Sequence, residues 1–476
     1  MDQEATPLVS ALVAYVEQGL VPFHTPGHKQ GRAVPTPLAS LWGTDLWRYD
    51  LTEVPGLDDL HAPQEAIKDA QILAAKAFGA EESFFLVDGS TAGIQAMILT
   101  VCNPGDVIIV PRNCHRSVVA GLILSGAIPK YLPPAIMTGF AVPLGITAAA
   151  VEQALRDCPE AKAVLMVSPT YHGICTELEA IAAVVHRHNK PLLVDQAHGA
   201  HLSFHRDLPP DAITCGADLV VHSTHKVLTS LTQTSLLHVQ GKRIDRERLA
   251  CMLRLVQSSS PSYLLMASLD ACRRQLAVDG KRLLDRTLLV AKQLRQALTR
   301  LSGISILEAE DLPAPFTLDP TRFVIMIHGY SGPEAANLLR AQGVAVEMAE
   351  MTNLLFLLTV GDGPQEGERL LAAVHALPKM DNIKAPATKL PAKLPIPPLR
   401  YPPREAVFAP RESVPISQAV GKVAAEFIVP YPPGVPLVHP GEEITSEIIN
   451  FVQELSAAGI HLQGLSDLEQ IAVLQV

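Results

Sequence analysis

Several short apolar segments of this chain end in residues that can do chemistry, and the most telling is Asp218-Leu-Val-Val-His-Ser-Thr-His-Lys226. A strand-like run stops, and Ser223, His225 and Lys226 follow at its carboxyl end, where α/β sheets place ligands. A lysine amine there attacks a carbonyl carbon once it is deprotonated, which burial and a neighbouring cation favour. Alone, such a lysine reads equally well as a surface residue. A companion segment, Leu192-Leu-Val-Asp195-Gln-Ala-His198-Gly199, is a second apolar run, and it ends in a carboxylate. An aspartate at a strand end is also a common cap or turn residue. The interval between Asp195 and Lys226, however, has room for a helical crossover between parallel strands.

Three further strand ends add to these two. Asp88-Gly89-Ser90-Thr91-Ala92-Gly93 precedes the helical run Ile94 to Val101. Glycine and small hydroxyls opening a helix leave free N–H groups facing an anion, although they also serve as ordinary N-caps. Pro111-Arg-Asn-Cys-His115 follows the run Val107 to Val110, and a neutral imidazole at His115 can stack on a flat ring. Ser168-Pro-Thr170-Tyr171 follows Ala163 to Val167 and offers the Thr170 hydroxyl nearby. The set comprises a lysine for an aldehyde, a carboxylate for a pyridine nitrogen, a helix start for a phosphate and a stacking ring. Together they describe a site for pyridoxal 5'-phosphate, whose protonated ring acts as an electron sink.

The elements that must position these residues follow an α/β pattern. Phe84 to Val87, Val107 to Val110, Ala163 to Val167, Leu192 to Val194 and Leu219 to Val221 each read as a buried parallel strand. The segments between them are long enough for helices covering both faces of a sheet. We expect five regions. Residues 1–62 form an N-terminal segment with one amphipathic helix, Pro7 to Gln18, and 63–303 a large cofactor-binding domain. Residues 304–382 form a small α/β domain with strands at Ile304 to Leu307, Phe323 to Ile327, Val344 to Val346 and Leu354 to Leu358. In it, Ser331-Gly-Pro-Glu334 starts a helix with a capping box. Residues 383–403 are a Pro-rich linker, and 404–476 a C-terminal domain with helices at Pro415 to Glu426 and Glu443 to Ala457.

Composition narrows the function classes. The formal net charge of −10 lacks the basic face that nucleic acid requires and suits a cationic small molecule. The apolar stretches fall well short of the roughly 20 residues that span a bilayer. The first residues lack the pattern of a signal peptide, and seven cysteines show no disulfide or zinc spacing. We therefore expect a cytoplasmic protein with neither a nucleic-acid nor a membrane partner.

At this point a resemblance can be stated. The chain resembles the Orn/Lys/Arg decarboxylase family, in its short form, almost end to end. The likeness rests on Phe23-His-Thr-Pro-Gly-His-Lys29-Gln-Gly, Asp50-Leu-Thr-Glu-Val-Pro-Gly-Leu-Asp58-Asp59-Leu, Asp88-Gly-Ser-Thr-Ala-Gly93 and Ser223-Thr-His-Lys-Val-Leu-Thr-Ser-Leu-Thr-Gln-Thr234. It implies the fold of class-I (fold type I) pyridoxal-phosphate enzymes, α/β with a mainly parallel seven-stranded sheet in the large domain and smaller C-terminal α/β domains. It implies Lys226 as the Schiff-base lysine and Asp195 as the partner of the ring nitrogen. Ser90, Thr91, Ser223 and His225 become phosphate or near-phosphate contacts, with Ala92 and Ala197 counted among the cofactor-binding residues. His115 stacks on the ring, and His198 lies behind or beside it. Gln196 stands where relatives often have an acid. Glu442, in the loop Tyr431-Pro-Pro-Gly to Pro440-Gly-Glu442, matches a position that contacts substrate. A homodimer or higher even homo-oligomer with shared active sites is also implied.

The activity so implied is decarboxylation of lysine, arginine or ornithine to CO2 and cadaverine, agmatine or putrescine, with Lys226 or His225 returning a proton to Cα. Asp45, Asp58, Asp59, Glu347 and Glu442 are the carboxylates available to a distal cation. Three rivals remain at this stage. One is an aminotransferase or lyase using the same cofactor residues. Another is a metal hydrolase built on His198, His201 and His205 or on His24 and His28. The third is a catalytically silent regulatory homologue.

Overall fold

The computed structural model describes residues 2–378, 396–430, 435–457, 459–466 and 470–475. Seven strands form the main sheet: β1 (Glu82–Leu86), β2 (Val107–Pro111), β3 (Ile128–Leu132), β4 (Ala163–Val167), β5 (Leu192–Asp195), β6 (Leu219–His222) and β7 (Ser235–Val239). Their order is β1-β7-β6-β5-β4-β2-β3. The pairs β3–β2, β2–β4, β4–β5 and β5–β6 are parallel, so the sheet is mainly parallel as expected. One expectation holds only in part. The Phe84 to Val87 segment runs in the same direction as the parallel strands but has no parallel partner, because β7 turns back antiparallel to β6 and β1 pairs antiparallel to β7 at the edge. Between β6 and β7 the chain makes only one helical turn and a bend, too little for a crossover.

Alternation along the strands explains why they read as continuous apolar runs. Leu192, Val194, Val164 and Val220 pack into one core, while Leu193, Leu165, Leu219 and Val221 pack into another on the opposite face. Helix α1 (Pro7–Glu17) adds Leu8, Leu12 and Tyr15 to the first core. Helix α2 (Gly89–Val101) lies on the second. Gly93 lets α2 press onto the sheet, since a Cβ there would collide with Val221 and Leu86.

A long helix, α3 (Tyr263–Thr299), leaves the large sheet and binds two cores as one rod. Tyr263, Met266 and Leu269 belong to the first core, and Ala291, Leu294 and Leu298 to a separate small one. That second core covers a four-stranded antiparallel sheet of β8 (Ile304–Ile306), β9 (Arg322–Ile327), β10 (Met348–Ala349) and β11 (Leu354–Leu357), ordered β8-β9-β11-β10. The capping box is present, with Ser331 Oγ accepting from the Glu334 N–H and Glu334 Oε2 from the Ser331 N–H. Val344 to Val346 is not a strand; the pairing starts later, at Met348.

The C-terminal part corrects another expectation. Pro415 to Glu426 is not helical: Arg411–Pro415 is a strand paired with Gln470–Leu474, and a turn follows it. Pro415 ends the strand without a donor, and Gly421 at φ +82° would break a helix. Helix Ser446–Ala457 forms close to where the sequence places it. Most of the Pro-rich linker and the Tyr431-Pro-Pro-Gly434 part of the loop lie outside the described residues, and the linker's last residue, Pro403, instead starts the helix Pro403–Phe408.

Candidate active site

The carboxyl ends of β2, β4, β5 and β6 open on one cavity of about 770 Å³. Ser223 caps a single helical turn, Thr224–Val227, that carries Lys226 to the cavity wall directly after β6. Asp195 ends the neighbouring β5. Ser90, Thr91, His115, Thr170, Asp195, Ala197, His198, His225 and Lys226, brought from five places in the sequence, all line this space. Ala92 and Ser223 do not line it; Ser223 is wholly buried behind Lys226, and its Oγ has no partner among the described residues. Gly89, at φ +74°, turns the chain so that the first N–H groups of α2 face the cavity.

The electrostatics of this wall lower the basicity of the lysine amine. Lys226 Nζ lies 3.1 Å from His198 Nε2 and 5.9 Å from the centre of the Tyr171 ring. Burial, opposed by Asp195 and helped by the Arg322 cation, holds Lys226 below the usual lysine range. Burial and Lys226 likewise keep His198 uncharged near neutrality. His115 is brought down to about 4, by burial first and then by Lys226 and Arg116. Its Nδ1 accepts the Ser117 N–H at 3.2 Å as the cap of helix Arg116–Ser125, which fixes the ring and leaves it flat, neutral and partly exposed to the cavity. Burial raises the Asp195 carboxyl, Lys226 opposes that, and the Ala197 N–H donates to Oδ1 at 3.1 Å. A cation placed against Asp195 would favour its charged form. His225 Nδ1–H donates to the Thr234 carbonyl at 2.7 Å.

The opposite wall is acidic and comes from the small sheet. Tyr171 donates its hydroxyl to Glu347 Oε1 at 2.6 Å, and His172 Nε2 lies 2.9 Å from Glu350 Oε2. Both carboxylates line the cavity. Burial pushes the Glu350 carboxyl up, but His172 and Asn353 outweigh it, so the net shift is downward. Among the carboxylates proposed for a distal cation, Glu347 alone reaches this space. Glu350, His172, Tyr171 and Arg112 were not picked out by sequence reasoning, because their partners lie far along the chain.

The other candidates have different settings. Asp58 accepts backbone N–H groups of Asp59, Gln64, Glu65, Ile67 and Lys68, which ties the N-terminal segment to the start of helix Ala66–Phe78. Replacing Asp58 by Ala is expected to cost about 2 kcal/mol, the upper range for a helix cap, measurable by denaturant unfolding. Asp59 accepts from the His61 N–H, and Asp45 begins a short 3-10 turn; neither lines the cavity. Glu442 is fully buried against Arg112 and does not line the cavity either. The histidines of the hydrolase reading face separate partners: His198 meets Lys226, His201 meets Asp319, His205 meets Asp285, His24 meets Tyr15 and His28 meets Asp50.

A mainly parallel sheet with a shielded lysine and a carboxylate on adjacent strand ends defines an α/β enzyme of the fold type I class. Comparison with known proteins gives the family. The model of the Orn/Lys/Arg decarboxylase major domain matches residues 6–313, and that of the family's C-terminal domain matches residues 401–469. An arginine decarboxylase of Bacillus subtilis (strain 168) is 38% identical over 474 residues, covering 98% of this chain and 97% of its own. An arginine decarboxylase of Halalkalibacterium halodurans is 39% identical, over 98% of this chain and 96% of its own. The structure of the constitutive lysine decarboxylase of E. coli superposes with a TM-score of 0.86 at 22% identity, over 99% of this chain and 82% of that one. The chain belongs to the Orn/Lys/Arg decarboxylase family. It is an enzyme that decarboxylates a basic amino acid. No helix among the described residues is long and apolar enough to cross a membrane.

Proposed function

We propose that the cavity binds pyridoxal 5'-phosphate through Lys226 and that arginine is the amino acid decarboxylated. The observation that carries this is the placing of Lys226 and Asp195 on adjacent strand ends of one cavity, with an acidic wall opposite. The residues present fit the cofactor. Lys226 has a lowered basicity, and the buried Asp195 carboxyl would be stabilised in its charged form by a cation beside it. Ser90, Thr91 and the N–H groups of α2 offer donors to a phosphate.

When bound, the cofactor's protonated ring accepts the electron pair freed as the bond from Cα to the carboxyl group breaks. The chain's own groups do the rest. Asp195 keeps the proton on the ring nitrogen by offering it a negative charge in a dry setting. His115 covers the ring with a neutral imidazole. Thr170, Ala197 and His198 shape its bed. Lys226, of lowered basicity and beside neutral His198, would return a proton to Cα from its ammonium form once it has taken one up, with His225 the other group at hand. Glu347 meets the distal guanidinium, for which a carboxylate is the natural partner.

Arginine is favoured over lysine by the near full-length identity of 38% and 39% to proteins named arginine decarboxylase, against 25% for the constitutive lysine decarboxylase of E. coli. The assembly we favour is a homodimer in the cytoplasm. Phe23, Leu41 and Trp42, exposed on the N-terminal segment, support burial against a second copy. The test of substrate is to rank kcat/KM for arginine, lysine and ornithine, with arginine expected first. Replacing Glu347 by Gln is expected to raise KM for arginine about tenfold with a smaller change in kcat. A KM that stays put would remove Glu347 from recognition.

A further inference from the structure

Part of the cavity wall is made by Val435, Pro436 and Leu437, far along the chain from the strand ends that carry Lys226 and Asp195. Arg112, the residue after β2, holds this stretch. Its Nη1 donates to the Pro436 carbonyl at 2.9 Å and to His439 Nε2 at 2.7 Å. Its Nη2 donates to the Leu437 carbonyl at 2.7 Å and to Glu442 Oε2 at 2.9 Å. Glu442 also accepts from the His439 N–H at 2.8 Å, and His439 Nδ1 lies 2.6 Å from the Tyr131 hydroxyl on β3. Arg112 is 2% exposed and Glu442 not at all.

A buried ion pair of this kind adds little net stability, because both charges have been taken out of water. Its value lies in geometry. A planar guanidinium presents its donors in a fixed fork, and here the fork spans two successive carbonyls of the cavity wall. Glu442 occupies the remaining Nη2 direction and so sets the plane of the fork. Both Nη atoms are already engaged by this segment, and Glu442 lies behind the wall.

We propose that Arg112 and Glu442 are a positioning pair: they fix the backbone of Pro436 and Leu437 as one side of the amino-acid site, and substrate affinity depends on them although Glu442 makes no contact with substrate. This rests on the reading of the cavity as the substrate site. It assigns to Glu442 a role through Arg112 in place of the direct contact that the family likeness implies.

The test measures agmatine binding to cofactor-loaded protein by calorimetry, beside arginine kinetics and the thermal midpoint. Arg112→Lys keeps a cation for Glu442 but cannot bridge the carbonyls of both Pro436 and Leu437. Its agmatine Kd and arginine KM are expected to rise about tenfold or more, with kcat within about threefold of wild type. The double variant Arg112→Met with Glu442→Leu leaves neither charge stranded, so its thermal midpoint should stay near that of wild type while Kd remains raised. If Arg112→Lys does not fold, the double variant decides. A wild-type Kd in either folded variant, with only the thermal midpoint changed, would reduce the pair to a structural role and overturn the proposal. So would a fall in kcat at unchanged KM. Failure of the wild-type protein to bind agmatine would instead overturn the reading of the cavity itself.

Discussion

Lys226→Ala is expected to lower CO2 release from arginine by at least about 10³-fold, the largest loss of any single change in this site. Among the described residues the cavity offers no substitute amine, its other basic groups being histidines and an arginine whose Nη atoms are fully engaged. Alanine removes both the attachment point of the cofactor and the group best placed to return a proton. Wild-type protein loaded with pyridoxal 5'-phosphate and reduced with borohydride should carry the pyridoxyl group on the peptide containing Lys226. The variant should carry none there. Its fold should survive, because the Lys226 side chain ends on His198 at the cavity edge and anchors no part of the hydrophobic core. Retention of near-normal turnover in the variant would remove Lys226 from the chemistry.

The second large effect is expected from Asp195→Asn, a loss in kcat of about 10² to 10⁴-fold with much smaller change in arginine KM. Asparagine keeps the shape and the acceptor for the Ala197 N–H but removes the charge. In the wild type, burial raises the Asp195 carboxyl, and a nearby cation favours its charged form. A protonated ring nitrogen is such a cation, and the two stabilise each other in a setting where water does not compete. Without the carboxylate the ring loses its proton more readily and draws electrons less strongly. Steady-state kinetics with the loaded variant checks this. An unchanged kcat would mean that Asp195 does not govern the ring.

The parts of the site legible in the sequence are those whose signal is local. Lys226, Asp195, Ser90 and His115 each follow a short apolar strand, and a buried parallel strand announces itself by composition alone. Strand pairing is a different matter. Phe84 to Val87 has the same composition as the strands that pair in parallel and runs in their direction, but its antiparallel pairing follows from where the reversed strand β7 returns, which local residues do not encode. Pro415 to Glu426 shows the same limit: it looks helical on its own, but the strand Arg411–Pro415 pairs with Gln470–Leu474 up to Pro415 and the chain then turns. The acidic wall was half visible. Glu347 stood among five candidate acids, but only the meeting of the loop after β4 with β10 separates it from Asp58, which is absorbed by backbone N–H groups. Arg112 and Glu442 are separated by 330 positions, so the sequence shows a conspicuous acid without the partner that explains it.

The most direct test of the central claim is to supply carboxyl-labelled arginine, lysine and ornithine to the loaded wild-type protein and count CO2 against the amine formed. One CO2 for each agmatine from arginine, with no 2-oxo acid, is the result expected of a decarboxylase built on Lys226 and Asp195. Formation of a 2-oxo acid without CO2, or no turnover of any of the three amino acids, would contradict it.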